Sequence, residues 1–289
     1  MATVPAHDSA FWRRLAHAGA RYGPRFWVRG SPPLFGIAFA LALPEARRRV
    51  RETLAWVRGP RSLVREELDT LRTFVSYAHC LAESLANGRP EASRPRVRVN
   101  GEHHLSEALA RGRGAIVVTA HAGPWDATAS LLAGFTSAEV IVVMRPERDA
   151  EARALHDAAR ARGGVRVAHV GEHPLDALPL LRHLERGGLV AVQLDRGAPS
   201  RRTLDVELFG RPFAVPEGPF QLAALSGAPL VPLFAKRTGY FAYDFVVHPA
   251  IELTKRSGRA ELERAAQAAT DAMASFLRDA PTQWFRFAE

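Results

Sequence analysis

The 289-residue chain holds one cysteine, Cys80. A single thiol excludes an internal disulfide framework and a cysteine-based zinc site, and it fits a reducing compartment. Long apolar runs are missing too. The longest near the N-terminus, Leu34–Leu43, is roughly half of what a bilayer crossing requires, so no transmembrane helix is expected. No signal-peptide core is visible. His103, His104, His169 and His173 lack an acidic partner at zincin spacing, and no metal is expected. There is no Gly-x-Ser-x-Gly elbow, no Walker loop and no Gly-x-Gly-x-x-Gly after a strand. These absences argue against a serine hydrolase and against a bound nucleotide or redox cofactor.

Lysine is scarce, and nearly all of the positive charge is arginine. With 39 Lys+Arg against 30 Asp+Glu, the net charge is +9. That balance suits an anionic membrane surface, nucleic acid or an acidic protein. A high-GC coding bias produces the same enrichment. No RRM or helix-turn-helix signature accompanies the charge, so nucleic acid is not expected as a partner. With 47% apolar and 24% charged residues the composition is that of a globular protein.

Along the chain, residues 10–29 interleave Phe11, Trp12, Leu15, Tyr22, Phe26 and Trp27 with arginines, including Arg13 and Arg14. This pattern fits an interfacial membrane element, or equally an N-terminal helix with solvated arginines. From Ser62 to Asn87, Val64, Leu68, Leu71, Val75, Ala78, Ala82 and Leu85 make one helical stripe that stops at Asn87-Gly88. His79 and Cys80 in this helix read as packing residues. Alternation of strands and helices then begins. Strands are predicted at Ala115–Ala120, Glu139–Arg145, Val165–Val170, Leu189–Asp195 and Leu230–Lys236. Helices lie near Pro124–Ala133, Glu147–Arg162 and Leu175–Glu185. Short Val/Ile runs separated by helices imply a largely parallel sheet. Thr203–Phe209 and Tyr243–Ile251 read as edge or antiparallel strands, and Arg259–Leu277 as a final helix before the aromatic Trp284, Phe285 and Phe287. The expected fold class is α/β: a mostly parallel mixed sheet flanked by helices in residues 101–289. Residues 1–100 form an N-terminal helical extension of the same unit.

The stretch Ala115–Asp126 carries the chemistry. An apolar strand ends at His121, Gly123-Pro124 makes a turn, and Asp126 follows five positions after the histidine. On one continuous helix those two residues would lie about 140° apart. With His121 in the turn and Asp126 in the first turn of the next helix, the carboxylate can fold back onto the imidazole. A histidine at the carboxyl end of a strand can take a proton near neutral pH, and a carboxylate on its other nitrogen fixes the tautomer. Equally, Asp126 can serve the helix dipole and His121 a backbone carbonyl. Arg145 and Asp195-Arg196 sit at two further strand ends, where arginine forks can hold phosphate or carboxylate. No enzyme nucleophile accompanies the pair, so it would activate a hydroxyl or amine of a substrate.

These residues resemble a known family. His121-Ala-Gly-Pro-Trp-Asp126 matches the His-x4-Asp/Glu motif of the lysophospholipid acyltransferase superfamily, and most closely its late lipid A biosynthesis branch. Val142–Pro146, Arg162-Gly163, Gln193–Arg196, Leu208–Phe213, Pro216–Pro219 and Gly227–Pro232 resemble that branch's further blocks in order. The likeness spans roughly Gly101–Pro249. Pro216-Glu-Gly218 is also reminiscent of a block in the glycerol-phosphate branch, but Asp195 fits the position of the second acidic block better.

The resemblance implies an acyltransferase that moves a fatty acyl group from an acyl carrier protein or coenzyme A thioester to a hydroxyl or amine of a lipid-like acceptor. His121 is then the general base and Asp126 its orienting partner. Arg145, Asp195 and Arg196 are placed on the substrate side, and Asp195 is implied to help hold the site. Backbone amides or arginines would stabilise the oxyanion. Where the family usually carries an N-terminal membrane-spanning helix, this sequence has only the short apolar run Leu34–Leu43. Contact with an anionic membrane is therefore expected to be peripheral, from the cytoplasm on the inner face. Two rivals stay open: a thioesterase using the same dyad on water, and a non-catalytic lipid- or membrane-binding protein.

Overall fold

Valine and isoleucine runs too short for helices become the buried middle of a sheet. A computed structural model describes residues 19, 22–86, 95–144, 165–170, 174–196 and 202–287. Four helices come first: α1 Arg25–Gly30, α2 Pro32–Ala42, α3 Pro44–Arg58 and α4 Leu63–Ala86. Then follow β1 Arg96–Asn100, α5 Glu102–Ala110, β2 Ala115–Thr119, α6 Trp125–Phe135, β3 Val140–Met144 and β4 Val165–His169. Next come α7 Leu178–Glu185, β5 Leu189–Gln193, β6 Thr203–Leu208, β7 Arg211–Pro216, α8 Gly218–Ser226, β8 Leu230–Gly239, β9 Ala242–Val247 and α9 Arg259–Asp279. A short 3₁₀ turn, Pro281–Gln283, leads into the aromatic C-terminal segment. The predicted helix Glu147–Arg162, most of the aromatic-arginine segment, the stop at Asn87-Gly88 and Arg162-Gly163 lie outside the described residues.

Seven strands form one sheet in the order β1-β9-β8-β2-β5-β3-β4. Every neighbouring pair is parallel except β8 and β9. This is the mostly parallel mixed sheet expected of the sequence. Strand β2 sits fourth and is buried at all five positions. Ile116 and Val118 face a core shared with Leu180 and Leu184 of α7, Phe220 of α8 and Leu262 of α9. Ala115 and Val117 face the opposite core, with Leu105 of α5 and Leu132 of α6. Each fully buried Val, Ile or Leu contributes about 1.5–3 kcal/mol, so helices on both faces hold this strand firmly. Strands β6 and β7 form a separate antiparallel hairpin. Strand β1 pairs with β9 and brings the residues just before position 101 into the sheet.

The long helix α4 departs from its sequence pattern. Val64 and Leu68 of the predicted stripe are exposed, whereas Asp69, Thr70, Thr73, Phe74, Cys80 and Glu83 are buried. Ion pairs make the difference. Asp69 pairs with Arg58, Arg61 and Arg72, and Glu83 with Arg237 at 2.8 Å. Tyr243 donates its hydroxyl to Glu83 at 2.7 Å, so this buried carboxylate pins α4 to β8 and β9. A polar face with partners can go inward, and an apolar face can then be left out.

Helix α2 is apolar on every side. Its Pro32, Gly36 and Ala40 are buried, and a Cβ at Gly36 would lie 2.7 Å from Val75 Cα, which shows how closely α2 seats on α4. Leu34, Phe35, Ile37, Phe39 and Leu41 are exposed; Leu34 and Leu41 are 69% and 66% accessible. At 1.5 Å per residue its 11 residues measure roughly 16 Å, about half a bilayer core. Among the described residues, no helix is long and apolar enough to cross a membrane.

Candidate active site

Strand pairing brings the candidate residues together. Strands β2 and β5 are parallel neighbours with Thr119 opposite Gln193, so His121 and Asp195, each two residues farther on, leave the sheet side by side. The bond from Leu194 N to Thr119 O, 2.8 Å, carries the pairing to the strand ends. His121 stands in the bend after β2 with its side chain 18% exposed, and Asp195 is buried to 2%.

One carboxylate oxygen holds the histidine twice. Asp195 Oδ1 lies 2.8 Å from His121 Nδ1 and accepts the His121 backbone N–H at 3.0 Å. Asp195 Oδ2 accepts the indole N–H of Trp284 at 3.0 Å. Burial alone would push the Asp195 carboxyl up. The His121 charge, the hydrogen bonds from His121 and that from Trp284 outweigh it and bring the carboxyl down to about 2. An ionised carboxylate accepts only, so Nδ1 of a neutral His121 carries the proton and Nε2 presents a lone pair. Nε2 has no hydrogen-bond partner among the described residues.

The turn after His121 is held by the chain's last described residues. Phe285 N donates to His121 O at 2.9 Å, Gly123 N to Gln283 O at 2.8 Å, and Ala122 bridges to Trp284 in antiparallel fashion. Gln283 bonds both the amide and the carbonyl of Arg237 at 2.8 and 2.9 Å, which ties this strap to β8. Gly123 adopts φ +55°, and a Cβ there would lie 2.0 Å from Ala235 O. Only glycine fits that approach. Pro124 caps the following helix, which begins at Trp125, one residue later than the sequence suggests.

The other candidates divide. Asp126 is the second residue of α6, but its side chain lies outside the described residues; Asp195 contacts His121 Nδ1. Arg145 lies outside the described residues. Arg196 is exposed beside Asp195 and donates to Phe285 O at 3.2 Å. Trp284 was visible in the sequence only as part of an aromatic tail. No spacing signal links it to residues 89 and 163 positions earlier. Next to His121, the ring of Trp125 is 5.2 Å away and helps line a mainly apolar cleft with Val117, Leu132, Val142 and Gln193.

At the carboxyl ends of parallel strands, His121 thus has Nδ1 secured by a buried carboxylate and, among the described residues, no partner on Nε2, an arrangement able to take up a proton there. Comparison with known proteins places the chain in a family. Residues 17–289 match the bacterial lipid A biosynthesis acyltransferase family, and the chain belongs to it. Over 187 residues it is 29% identical to the phosphatidylinositol mannoside acyltransferase of Mycobacterium tuberculosis, in both strain CDC 1551 / Oshkosh and strain H37Rv. Over 188 residues it is 27% identical to a lipid A biosynthesis acyltransferase of Haemophilus influenzae. Each match covers 64% of this chain and 57% or 55% of the relative, so the likeness spans little more than half of those proteins.

Proposed function

We propose that this protein transfers a fatty acyl chain from the thioester of acyl carrier protein or coenzyme A to a hydroxyl or amine of a lipid-like acceptor. The observation that carries the reading is the Nδ1 of His121 fixed by buried Asp195, with Nε2 opposite it unpartnered among the described residues. Family membership supports acyl transfer, and the names of the relatives, which refer to phosphatidylinositol mannoside and lipid A, support a lipid acceptor.

In this mechanism Nε2 takes the proton of the acceptor O–H or N–H as that atom attacks the thioester carbonyl carbon. Asp195 stabilises the imidazolium that forms. The tetrahedral intermediate collapses, the C–S bond breaks, and the imidazolium returns its proton to the departing thiolate. The enzyme forms no covalent intermediate and uses no metal or redox cofactor. The backbone amides of the His121 turn are poor candidates for the oxyanion. His121 N is committed to Asp195, Ala122 N to Ala120 O, and Gly123 N to Gln283 O. The charge is therefore assigned to guanidinium groups: Arg196, which donates to Phe285 O beside Asp195, and Arg145, a candidate by family resemblance alone. Asp126 retains, by resemblance, a role at the imidazole or the acceptor.

The exposed apolar residues of α1 and α2 give the protein a means of lying on a membrane. Phe26, Trp27, Leu34, Phe35 and Leu41 present apolar surface beside Arg29, and the net charge of +9 favours an anionic leaflet. The proposed location is the inner face of the cell membrane, peripherally bound.

The test is acyl transfer by the pure protein from radiolabelled acyl thioester to a panel of lipid acceptors. The expected result is acceptor-dependent loss of thioester, abolished by His121→Gln. Thioester loss independent of every acceptor would identify a hydrolase, and no loss at all would leave a binding protein; either result overturns the proposal.

A further inference from the structure

The catalytic reading needs only His121 and a carboxylate, yet a third group is built into the site. Asp195 has two oxygens. Oδ1 is taken by the two His121 donors, and Oδ2 by the indole of Trp284, which is 1% exposed. On either side of Trp284 the same C-terminal strap bonds the turn that leaves His121, Phe285 N donating to His121 O and Gln283 O accepting from Gly123 N. The indole cannot shift relative to Asp195 without the turn that aims the imidazole shifting as well. Behind it stands an aromatic wall: Trp56 of α3 lies 5.7 Å from the Trp284 ring, and its own Nε1 is spent on Leu208 O at 3.1 Å. A ring at position 284 serves packing, whereas the N–H serves only Asp195.

We propose that Trp284 is a positioning residue whose N–H sets both the direction and the basicity of Asp195, and through it the proton affinity of His121. This rests on the reading of His121 as the base. With Oδ2 bonded, part of the carboxylate's charge is drawn toward the indole, and Nδ1 meets a moderated acceptor. Without that donor the carboxylate turns its full charge on the imidazole and holds the imidazolium more tightly. The charged and titratable groups around the assembly are few among the described residues. Arg196 neighbours Asp195 in sequence. The guanidinium of Arg286 lies 5.2 Å from the Trp284 ring, and Arg211 faces Trp56 from the β7 side. Arg237 reaches the strap through Gln283, and Tyr77 of α4 meets Phe285 edge-on. The cations stay in place when the N–H is removed, so the change isolates one hydrogen bond.

Two variants test this: Trp284→Phe, and replacement of Trp284 by benzothienylalanine, an isostere with sulfur where the N–H was. The second keeps the packing if the first misfolds. Acyl transfer is followed across pH, and the C2–H resonance of His121 is titrated in the resting protein, assigned by its loss in His121→Gln. Both variants are expected to lower kcat about tenfold to a hundredfold with KM for the thioester unchanged. The loss should grow as pH falls, because the acid limb of the rate profile and the His121 titration both move to higher pH. A structural role alone would lower the active fraction or the melting temperature and leave both pH curves in place; that result overturns the proposal. If the wild type transfers no acyl group yet the His121 titration still moves, the Trp284–Asp195–His121 link stands and the base reading fails.

Discussion

Replacing Asp195 by asparagine removes one charge and almost no volume, so its effects can be worked out bond by bond. The carboxamide keeps one oxygen. If that oxygen faces His121, the NH₂ group confronts the Trp284 N–H, donor against donor in a buried site. If it faces Trp284, the NH₂ group meets His121 N and Nδ1, and the imidazole proton is driven to Nε2, where a lone pair is needed. Both arrangements lose the charge that stabilises the imidazolium. An equivalent change in the serine-protease triad costs about 10⁴ in kcat, and a fall of roughly 10³–10⁴ is expected here. Stability changes too. Asp195 is held at about 2 against an ordinary 3.8, which corresponds to about 2 kcal/mol. Because the folded value is the lower one, this contribution is complete above about pH 4 and is lost as pH falls through 2. Asp195→Asn is therefore expected to lower unfolding free energy at pH 7 by at most about 2 kcal/mol, since part of that figure needs a charged His121, and the gap should narrow in acid. Steady-state transfer assays and urea unfolding at pH 7 and pH 3 measure both. If Asp195→Asn keeps wild-type kcat while Asp126→Asn loses it, the assignment of Asp195 to Nδ1 is refuted.

Further substitutions probe the scaffold and the surface. Gly123→Ala forces a side chain into a left-handed backbone and against Ala235 O; loss of transfer and a stability cost of at least about 2 kcal/mol are expected from assay and thermal melts. Arg237→Met leaves Glu83 buried without its cation and is expected to cost about 3 kcal/mol at pH 7. Burial already raises the Glu83 carboxyl above its ordinary range, so protonation in acid should relieve the deficit, visible as convergence of the two unfolding curves below about pH 4. Leu34→Glu with Leu41→Glu is expected to weaken co-sedimentation with anionic vesicles without altering turnover of a soluble thioester. Unchanged sedimentation would remove α2 from membrane contact.

The central strands were legible because burial on both faces leaves a plain mark. Ala115–Thr119 and Leu189–Gln193 are short unbroken runs of Ala, Val, Ile and Leu, closing on Thr119 and Gln193, within two residues of the predicted bounds. Strand β1 was missed because Arg-Val-Arg-Val-Asn lies at the rim of the sheet with its arginines outward. The buried face of α4 was missed for a related reason: a carboxylate such as Glu83 reads as surface until Arg237, 154 residues away, supplies its partner. His121 stood out locally, at the end of a strand and before a Gly-Pro turn. Its contact with Asp195 depends on β2 lying beside β5 in a particular register, and nothing local in either segment encodes that. Trp284 depends on the docking of the C-terminal strap, one step further from sequence pattern.

The pairing of Thr119 with Gln193 has a consequence for how this site can vary. The distance between His121 and Asp195 is set by interstrand hydrogen bonds, not by the 73 residues that separate them in the chain. The loops among those residues can lengthen, shorten or change composition, and the imidazole and carboxylate will still meet while the two strands remain in step. A slip of one residue between the strands would turn Asp195 to the other face and undo the pair at a stroke. The connections are thus left open to change as acceptors change, while the sheet itself works as the gauge that keeps the proton-transfer distance constant.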